Sequence, residues 1–126
     1  MKKELGDVTN LIQKIGGKKV KFIILYGSVA MGKQTPRSDI DIAVFYEGSK
    51  EQRFQFRLSI LSKVNKTFDV QTFQDLPLYI RKEVLNGRVL YCDNTRFLHE
   101  EIRKTNADFE DFKTRFYDYI RGGTIA

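Results

Sequence analysis

The sequence predicts an α/β (α+β) fold in which a mixed sheet of about four strands is flanked by helices. Three patterns lead to this prediction. VKFIILY at 20–26 is a nearly continuous apolar run, DIDIAVFY at 39–46 alternates with period 2, and several other stretches place apolar residues at helical spacing. No internal repeat or change of composition marks a linker in the 126 residues, so we expect a single domain over 1–126.

The beginning of the chain predicts a helix, a buried strand and a turn. The residues at helical spacing are Leu5, Val8, Leu11, Ile12 and Ile15. This pattern ends at Gly16-Gly17, which indicates a glycine C-cap. Residues 20–26 are nearly all apolar and do not alternate, as in a strand covered on both faces. SVAMG at 28–32 is long enough for one helical turn, and the polar residues 33–38 predict a loop before a second strand that begins at Asp39.

Residues 50–65 predict a helix. The side chains expected to face the core are Phe54, Leu58, Leu61 and Val64. Arg53, Arg57 and Lys63 are expected to point outward. A short third strand is predicted at 68–73, where the sequence is FDVQTF.

The rest of the chain predicts a helix at 76–86 with Pro77 in its first turn, a strand at 88–92 and one long helix from 94 or 95 to Gly122-Gly123. The apolar stripe of the long helix is Leu98, Ile102, Thr105, Phe109, Phe112, Phe116 and Ile120. Such a stripe is more often core than a docking surface. If it is exposed, it becomes a candidate interface with a partner or with a second copy in a homodimer.

Composition excludes several classes of protein. No run approaches the roughly 20 apolar residues that span a bilayer, and the polar start MKKELGDVTN does not match a signal peptide. We therefore expect a cytoplasmic protein that is not associated with a membrane. The single Cys92 and the single His99 exclude an internal disulfide and a thiolate-imidazole metal centre. A net charge of +6 favours anionic partners, but the basic residues are scattered and better fit a solvated surface than a nucleic-acid stripe.

Two aspartates at the start of the second strand are the candidate metal ligands. Strand alternation sends Asp39 and Asp41 out of the same face, with Cα atoms roughly 6.5–7 Å apart. Carboxylate oxygens at this spacing suit a hard cation such as Mg²⁺, which also takes water and phosphate oxygens. The alternative interpretation is an ordinary exposed strand end, where aspartate is common.

The turn between the first two strands is a candidate phosphate site. Gly27 lets a phosphate approach the backbone, Ser28 offers a hydroxyl and an N–H group, and Gly32 keeps the loop compact. Without the aspartates, an ordinary turn would be the better interpretation. Together with them, the turn predicts phosphoryl or nucleotidyl transfer, in which two metal ions clamp the attacking and leaving oxygens.

Asp69 is the candidate third carboxylate. It lies near the start of the predicted strand 68–73, so its side chain can meet the other two if that strand adjoins the Asp39 strand. There it would hold metal on the nucleophile's side and help to take the hydroxyl proton. The alternative is a surface position, because the register of this strand is open.

The stretch GSVAMGKQTPRSDIDIAVF, with Gly27-Ser28 followed after ten residues by Asp39-x-Asp41, resembles the nucleotidyltransferase signature of the DNA polymerase beta superfamily. Because the chain lacks the further domains of larger members, it looks like a minimal nucleotidyltransferase of the MNT type. The resemblance implies a polymerase-beta-like fold and transfer of AMP from ATP to a tyrosine of a helical HEPN-domain toxin, so that the protein would act as an antitoxin.

On that resemblance, Asp39 and Asp41 would bind two Mg²⁺ ions and Asp69 would complete the site, while Gly27 and Ser28 would hold the triphosphate. Gly32, Lys33, Arg37 and Ser38 are the other candidate nucleotide-binding residues. Many relatives have arginine at the position of Met31, so Lys33 or Arg37 would supply the cationic contact here. For Arg37 and Ser38, simple loop solvation is the alternative.

Two other functions compete with this prediction. The protein could neutralise a HEPN-type partner by stoichiometric binding, with catalysis secondary or lost. It could also be a basic RNA-binding protein that uses the same pocket for a terminal nucleotide, in which case binding would weaken steeply with salt.

Overall fold

The computed structural model of the protein describes residues 2–33 and 39–125. The helices are α1 (Lys2–Gly16), α2 (Gly27–Ala30), α3 (Lys50–Leu61), α4 (Leu78–Leu85) and α5 (Thr95–Ile125). The strands are β1 (Val20–Tyr26), β2 (Ile40–Tyr46), β3 (Phe68–Thr72) and β4 (Arg88–Cys92). Short 3₁₀ turns at Gly17–Lys19 and Phe73–Asp75 join α1 to β1 and follow β3.

The strands form one mixed sheet in the order β3-β2-β1-β4. β1 runs antiparallel to both β2 and β4, whereas β2 and β3 are parallel. β1 and β2 are therefore the central strands, and this explains why residues 20–26 are apolar on both sides. The predicted mixed four-stranded sheet flanked by helices is confirmed.

The two faces of the sheet carry separate cores. On the first face, α1 and α3 cover the sheet, and fully buried side chains such as Ile12, Ile42 and Ile60 pack together. On the second face, Phe22 of β1 and Phe73 of the turn after β3 pack together with Val84 of α4 and Leu98 of α5. Because strand side chains alternate, Asp41 and Asp69 share this second face.

The predicted facing of α3 was wrong for Phe54 and Leu58, whereas Leu61 and Val64 pack, partly buried, against the first core as predicted. Phe56 and Ile60 are the buried residues of the helix, whereas Phe54 and Leu58 are exposed. The two arginines expected outside are half-buried instead. Arg53 donates two hydrogen bonds to the Asp75 carboxylate, and Arg57 Nε donates to the Val70 carbonyl at 2.8 Å. These contacts with β3 and the turn after it set the rotation of the helix about its axis.

The ends of several elements also differ from the prediction. α3 ends at Leu61 rather than 65, and β2 begins at Ile40, so Asp39 lies just before the strand and is exposed. The predicted stop of the last helix at Gly122-Gly123 was wrong, since α5 continues to Ile125. A glycine ends a helix only where the chain turns left-handed, and the described residues with positive φ are Gly17, Gly27 and Gly32.

The stripe of α5 is buried only in its first half. Leu98 and Thr105 are buried and Phe109 is half-buried beneath Lys82, whose Nζ lies 4.8 Å from the ring centroid. Phe112 and Phe116 are 52% and 50% exposed, so the expectation that they are core residues was wrong. Despite its length, α5 is too polar to cross a bilayer, and no other helix in the described ranges meets that requirement.

Candidate active site

Three side chains form a row across three strands on the second face of the sheet. Asp41 is the antiparallel partner of Tyr26 on β1 and the parallel partner of Asp69 on β3. Adjacent strands lie about 4.8 Å apart, so neighbouring members of this row are within reach of one another. The register therefore meets the condition stated for Asp69, because its strand adjoins that of Asp41. Gln71 Nε2 donates to Asp69 Oδ1 at 3.0 Å and orients this carboxylate.

The backbone of the turn after β1 lies against the side chain of Asp41. Gly27 has φ +78°, and a Cβ atom built on it would lie 2.3 Å from Asp41 Oδ2. Both the left-handed conformation and the contact exclude any larger residue without a local shift. Glycine at this position thus lets the Asp41 carboxylate lie directly against the backbone of the turn.

The other residues of the predicted phosphate site lie on or beyond α2. Ser28 is half-buried in this short helix, and its carbonyl accepts a hydrogen bond from the Lys33 N–H at 2.8 Å. Gly32 has φ +71° and forms the turn between them, while the Lys33 side chain is exposed. Arg37 and Ser38 lie outside the described residues. The structure thus brings Gly27 against the Asp41 carboxylate, with Ser28 next to it in α2, and Lys33 is the cationic candidate among the described residues.

The surroundings of Asp41 disfavour its negatively charged form. The pKa of Asp41 is raised to about 6. Burial is the largest cause, and the negative charges of Asp69, Asp39 and Glu83 contribute the rest. Burial also raises the pKa of Tyr26 to about 12, with the same effect from Asp41, Asp69 and Glu83. Tyr26 is therefore a neutral phenol at physiological pH, and its O–H group can act as a donor.

The donor set fits a hard cation bound mainly by two carboxylates. Asp41 and Asp69 offer oxygen ligands on neighbouring strands, and the pKa of Asp41 is raised first by burial and then by the neighbouring carboxylates, so a bound cation would favour its charged form. Among residues 2–33 and 39–125, no group of three Asp, Glu, His or Cys side chains could hold a metal ion. Mg²⁺ needs no such cage, because one or two carboxylates, waters and substrate phosphates complete its coordination.

A cavity of about 380 Å³ opens beside this row, and sequence reasoning missed it. It lies between α2 and α4, and its lining includes Tyr26, Gly27 and Met31 on one side and Glu83 and Asn86 on the other. No local pattern distinguishes Glu83 from other acidic residues on a helix. Only the packing of α4 against the end of β1 brings it near Asp41.

A second glycine sets that packing. A Cβ atom on Gly87 would lie 2.3 Å from the Leu25 carbonyl oxygen and 3.0 Å from the Val84 carbonyl oxygen. The end of α4 can therefore approach β1 only because this residue has no side chain. The end of this helix was predicted at 86, directly before Gly87, but the sequence pattern did not predict that Gly87 makes a close contact with β1.

Comparisons with known proteins agree with this site. The family model for polymerase beta nucleotidyltransferases matches residues 9–96. A protein of Methanocaldococcus jannaschii named "Putative protein adenylyltransferase" is 37% identical over 98 residues, which make up 77% of this chain and 75% of that protein.

Solved structures share the architecture. A chain of a toxin-antitoxin crystal structure with AMP-PNP has a TM-score of 0.73 at 18% identity, covering 96% of this chain and 98% of its own. A chain from the structure of a tri-AMPylated Shewanella oneidensis HEPN toxin in complex with an MNT antitoxin has a TM-score of 0.70 at 16% identity, with both chains fully covered. These likenesses confirm the predicted polymerase-beta-like fold. Together with the family match over 9–96, they show that the chain belongs to the polymerase beta nucleotidyltransferase family.

Proposed function

We propose that this protein transfers AMP from ATP to a tyrosine hydroxyl of a HEPN-type toxin in a Mg²⁺-dependent reaction and thereby acts as an antitoxin. The observation that carries the proposal is the register of β2 and β3, which sets Asp41 beside Asp69 next to the Gly27 turn. The M. jannaschii relative, named for protein adenylyl transfer, supports the reaction type.

In this proposal each residue has a defined task. Asp41 and Asp69 hold the metal, and Asp39, exposed just before β2, contributes its negative charge to the site and would reach the metal only through water or after a side-chain movement. Gly27 and Ser28 receive the triphosphate, with Gly32 shaping the turn and Lys33, Arg37 and Ser38 completing the contacts. When bound, Mg²⁺ neutralises the phosphate charge and activates the acceptor oxygen.

The transfer balances as a single displacement. The acceptor oxygen forms a bond to the α-phosphorus while the bond from that phosphorus to the pyrophosphate oxygen breaks. The hydroxyl proton goes to Asp69, which lies at the edge of the row, and pyrophosphate leaves on the side of the Gly27 turn. The roles of the chain are therefore positioning, charge compensation and acceptance of one proton.

The acceptor is proposed from structures with a similar fold. One is described as a tri-AMPylated HEPN toxin in complex with an MNT antitoxin, and another as a toxin-antitoxin with AMP-PNP. These descriptions support ATP as the donor and a HEPN protein as the partner of this chain. We further propose that residues 1–126 act as one domain, since both cores share one sheet, and that the protein works in the cytoplasm, where ATP is supplied.

The test is transfer of label from ATP labelled on its α-phosphate, in the presence of Mg²⁺ and a lysate of the source cell. The proposal expects a covalently labelled protein band whose label is on tyrosine. Asp41→Asn should abolish it, and Asp108→Asn, which removes an exposed aspartate of α5, should not. Label that persists in Asp41→Asn would contradict the assignment of the metal site, and label on RNA would contradict the acceptor.

A second candidate function is stoichiometric neutralisation without catalysis. The observation that favours it is the cluster of exposed aromatic residues at the end of α5, namely Phe112, Phe116, Tyr117 and Tyr119. Exposed apolar patches of this kind mark interaction surfaces. If this alternative holds, the Asp39→Ala variant and the wild type should inhibit the toxin equally when no ATP is present. The catalytic proposal expects inhibition to require ATP.

A further inference from the structure

Another cavity lies at the outer edge of β3, one side chain away from the candidate active site. Its volume is about 240 Å³, and it is lined by residues of α3, of β3 and of the turn after β3, namely Lys50, Phe54, Arg57, Gln71, Thr72 and Asp75. Gln71 connects the cavity to the site, because its Nε2 donates to Asp69 Oδ1 at 3.0 Å. The cavity is therefore next to the carboxylate to which the proposed function assigns the proton of the acceptor hydroxyl.

The place of this cavity in the sheet suits the acceptor rather than the nucleotide. The strand order is β3-β2-β1-β4, so β1, which leads into the Gly27 turn, and β3 lie on opposite sides of β2. In a displacement at phosphorus, the entering and leaving oxygens lie in line on opposite sides of the phosphorus atom. Pyrophosphate that leaves toward the Gly27 turn thus assigns the β3 side, with its cavity, to the acceptor.

The walls of the cavity combine an apolar surface with an excess of positive charge. The Phe54 side chain is 53% exposed, which is unusual for a large apolar residue. Lys50 and Arg57 supply two positive charges. Asp75 is the one acidic residue of the lining, and Arg53 donates two hydrogen bonds to its carboxylate and lowers its pKa. The cavity therefore suits an apolar side chain that has a carboxylate beside it.

The edge of β3 itself is closed to a further strand. Arg57 Nε donates to the Val70 carbonyl at 2.8 Å, so the guanidinium group occupies a position that the backbone of an added strand would need. Recognition at this edge therefore depends on side chains that enter the cavity, and strand addition by the acceptor is disfavoured.

We propose that this cavity docks the acceptor protein by binding an apolar side chain and an adjacent carboxylate next to the acceptor tyrosine. The inference rests on the proposed nucleotidyl transfer and assigns two docking residues: Phe54 contacts the apolar side chain, and Lys50 pairs with the carboxylate. Asp69 and Gln71 are two positions apart on β3, roughly 7 Å along the strand. The docked side chain therefore belongs to the immediate surroundings of the tyrosine that is modified.

The test is steady-state transfer from ATP labelled on its α-phosphate, in Mg²⁺. The acceptor is the protein that takes up label in the source-cell lysate, used after purification. Phe54→Ala should raise the KM for this acceptor about five- to tenfold, the effect of truncating one aromatic side chain at an interface. The kcat and the KM for ATP should change less than about twofold, because the cavity lies outside the reacting groups.

The matched control for this variant is Phe112→Ala. Phe112 is the same residue type and is 52% exposed, but it lies on α5. It should leave the KM for the acceptor unchanged. Because both phenylalanines are exposed, both variants should keep the thermal stability of the wild type.

A charge reversal tests the second docking residue. Lys50→Glu should raise the KM for the acceptor about tenfold at low ionic strength, and the difference should shrink at about 0.5 M salt, where the charges are screened. Lys50 is the first residue of α3, where a negative charge is favourable, so the variant should fold as well as the wild type. Lys63→Glu, which reverses another exposed lysine outside the cavity, is the control and should have no effect.

The other outcomes separate this inference from the proposed function. If the wild type labels no protein, the proposed function fails and the docking assignment fails with it. If the wild type labels its acceptor and both cavity variants keep the wild-type KM, the proposed function stands and the docking assignment is wrong. A fall in kcat at unchanged KM, or an equal rise in the KM for ATP, would also overturn it. A raised acceptor KM in Phe112→Ala alone would place the docking surface on α5 instead.

Discussion

The two faces of β2 show how this protein separates stability from chemistry. Ile40, Ile42 and Val44 point into the core beneath α1 and α3 and are almost completely buried. Asp41, between the first two of these residues, points to the opposite face, where it meets Asp69 and the Gly27 turn. Because the strand alternates with period 2, neighbouring residues belong to a dry core and to a charged site. Substitutions on the two faces should therefore have separable effects.

The largest expected effect is on the charged face. Asp41→Asn should reduce nucleotidyl transfer about a thousandfold or more, because loss of a metal-holding carboxylate removes several kcal/mol of transition-state stabilisation. The measurement is single-turnover transfer with saturating ATP and acceptor, accompanied by a circular dichroism spectrum. A variant with an unaltered spectrum and wild-type transfer would break the proposed division between the two faces.

On the apolar face, Ile42→Ala should lower the free energy of unfolding by about 2–5 kcal/mol, because the side chain is fully buried and leaves a cavity. Ile42→Val should cost only about 0.5–1.5 kcal/mol. Urea unfolding measures both. Under conditions where each variant is folded, transfer should stay close to that of the wild type, and a large loss for Ile42→Val would show that the two faces are coupled.

A smaller effect should link Asp41 to stability through pH. Its pKa is raised to about 6 in the folded protein, so the folded state binds more protons than the unfolded state between pH 3.8 and 6. The free energy of unfolding therefore falls as pH rises through this window, and the full cost is present above it. The rise of the Asp41 pKa from 3.8 to about 6 corresponds to about 3 kcal/mol, which solvent screening of this partly exposed group reduces to about 1 kcal/mol.

Asp41→Asn should accordingly be more stable than the wild type by about 1 kcal/mol at pH 7, and the difference should vanish below pH 4. Urea unfolding at pH 3.5, 5 and 7 measures this trend. Mg²⁺ should stabilise the wild type more than the variant, because it binds the folded carboxylates. A variant that is less stable than the wild type at pH 7 would contradict the destabilising effect of the buried Asp41 charge.

The smallest effect is expected at Phe116, in the exposed half of α5, and Leu98 in the buried half provides the comparison. Leu98→Ala, in the buried half of the helix, should cost about 2–4 kcal/mol, whereas Phe116→Ala in the exposed half should stay within about 0.5 kcal/mol. Thermal unfolding of both variants makes the comparison within one helix. A large loss for Phe116→Ala would mean that its ring is covered in solution.

The sequence by itself determined the elements and the local part of the site. The apolar run of β1, the alternation of β2 and the spacing of Gly27 from Asp39 and Asp41 are properties of neighbouring residues, so strand and helix periodicity was enough to predict them. The family resemblance depended on these same residues.

Only the tertiary structure decided which elements meet. Asp41 and Asp69 are 28 positions apart, and their pairing depends on β3 adding to β2 in parallel. In α3, two sets of apolar residues at helical spacing could have faced the core, one with Phe54 and Leu58 and the other with Phe56 and Ile60. The contacts of Arg53 and Arg57 turn the second set toward the core. Glu83 reaches the site because Gly87 lets α4 approach β1. Periodicity is a property of the local backbone, whereas these juxtapositions follow from how separate elements bury one another's surfaces.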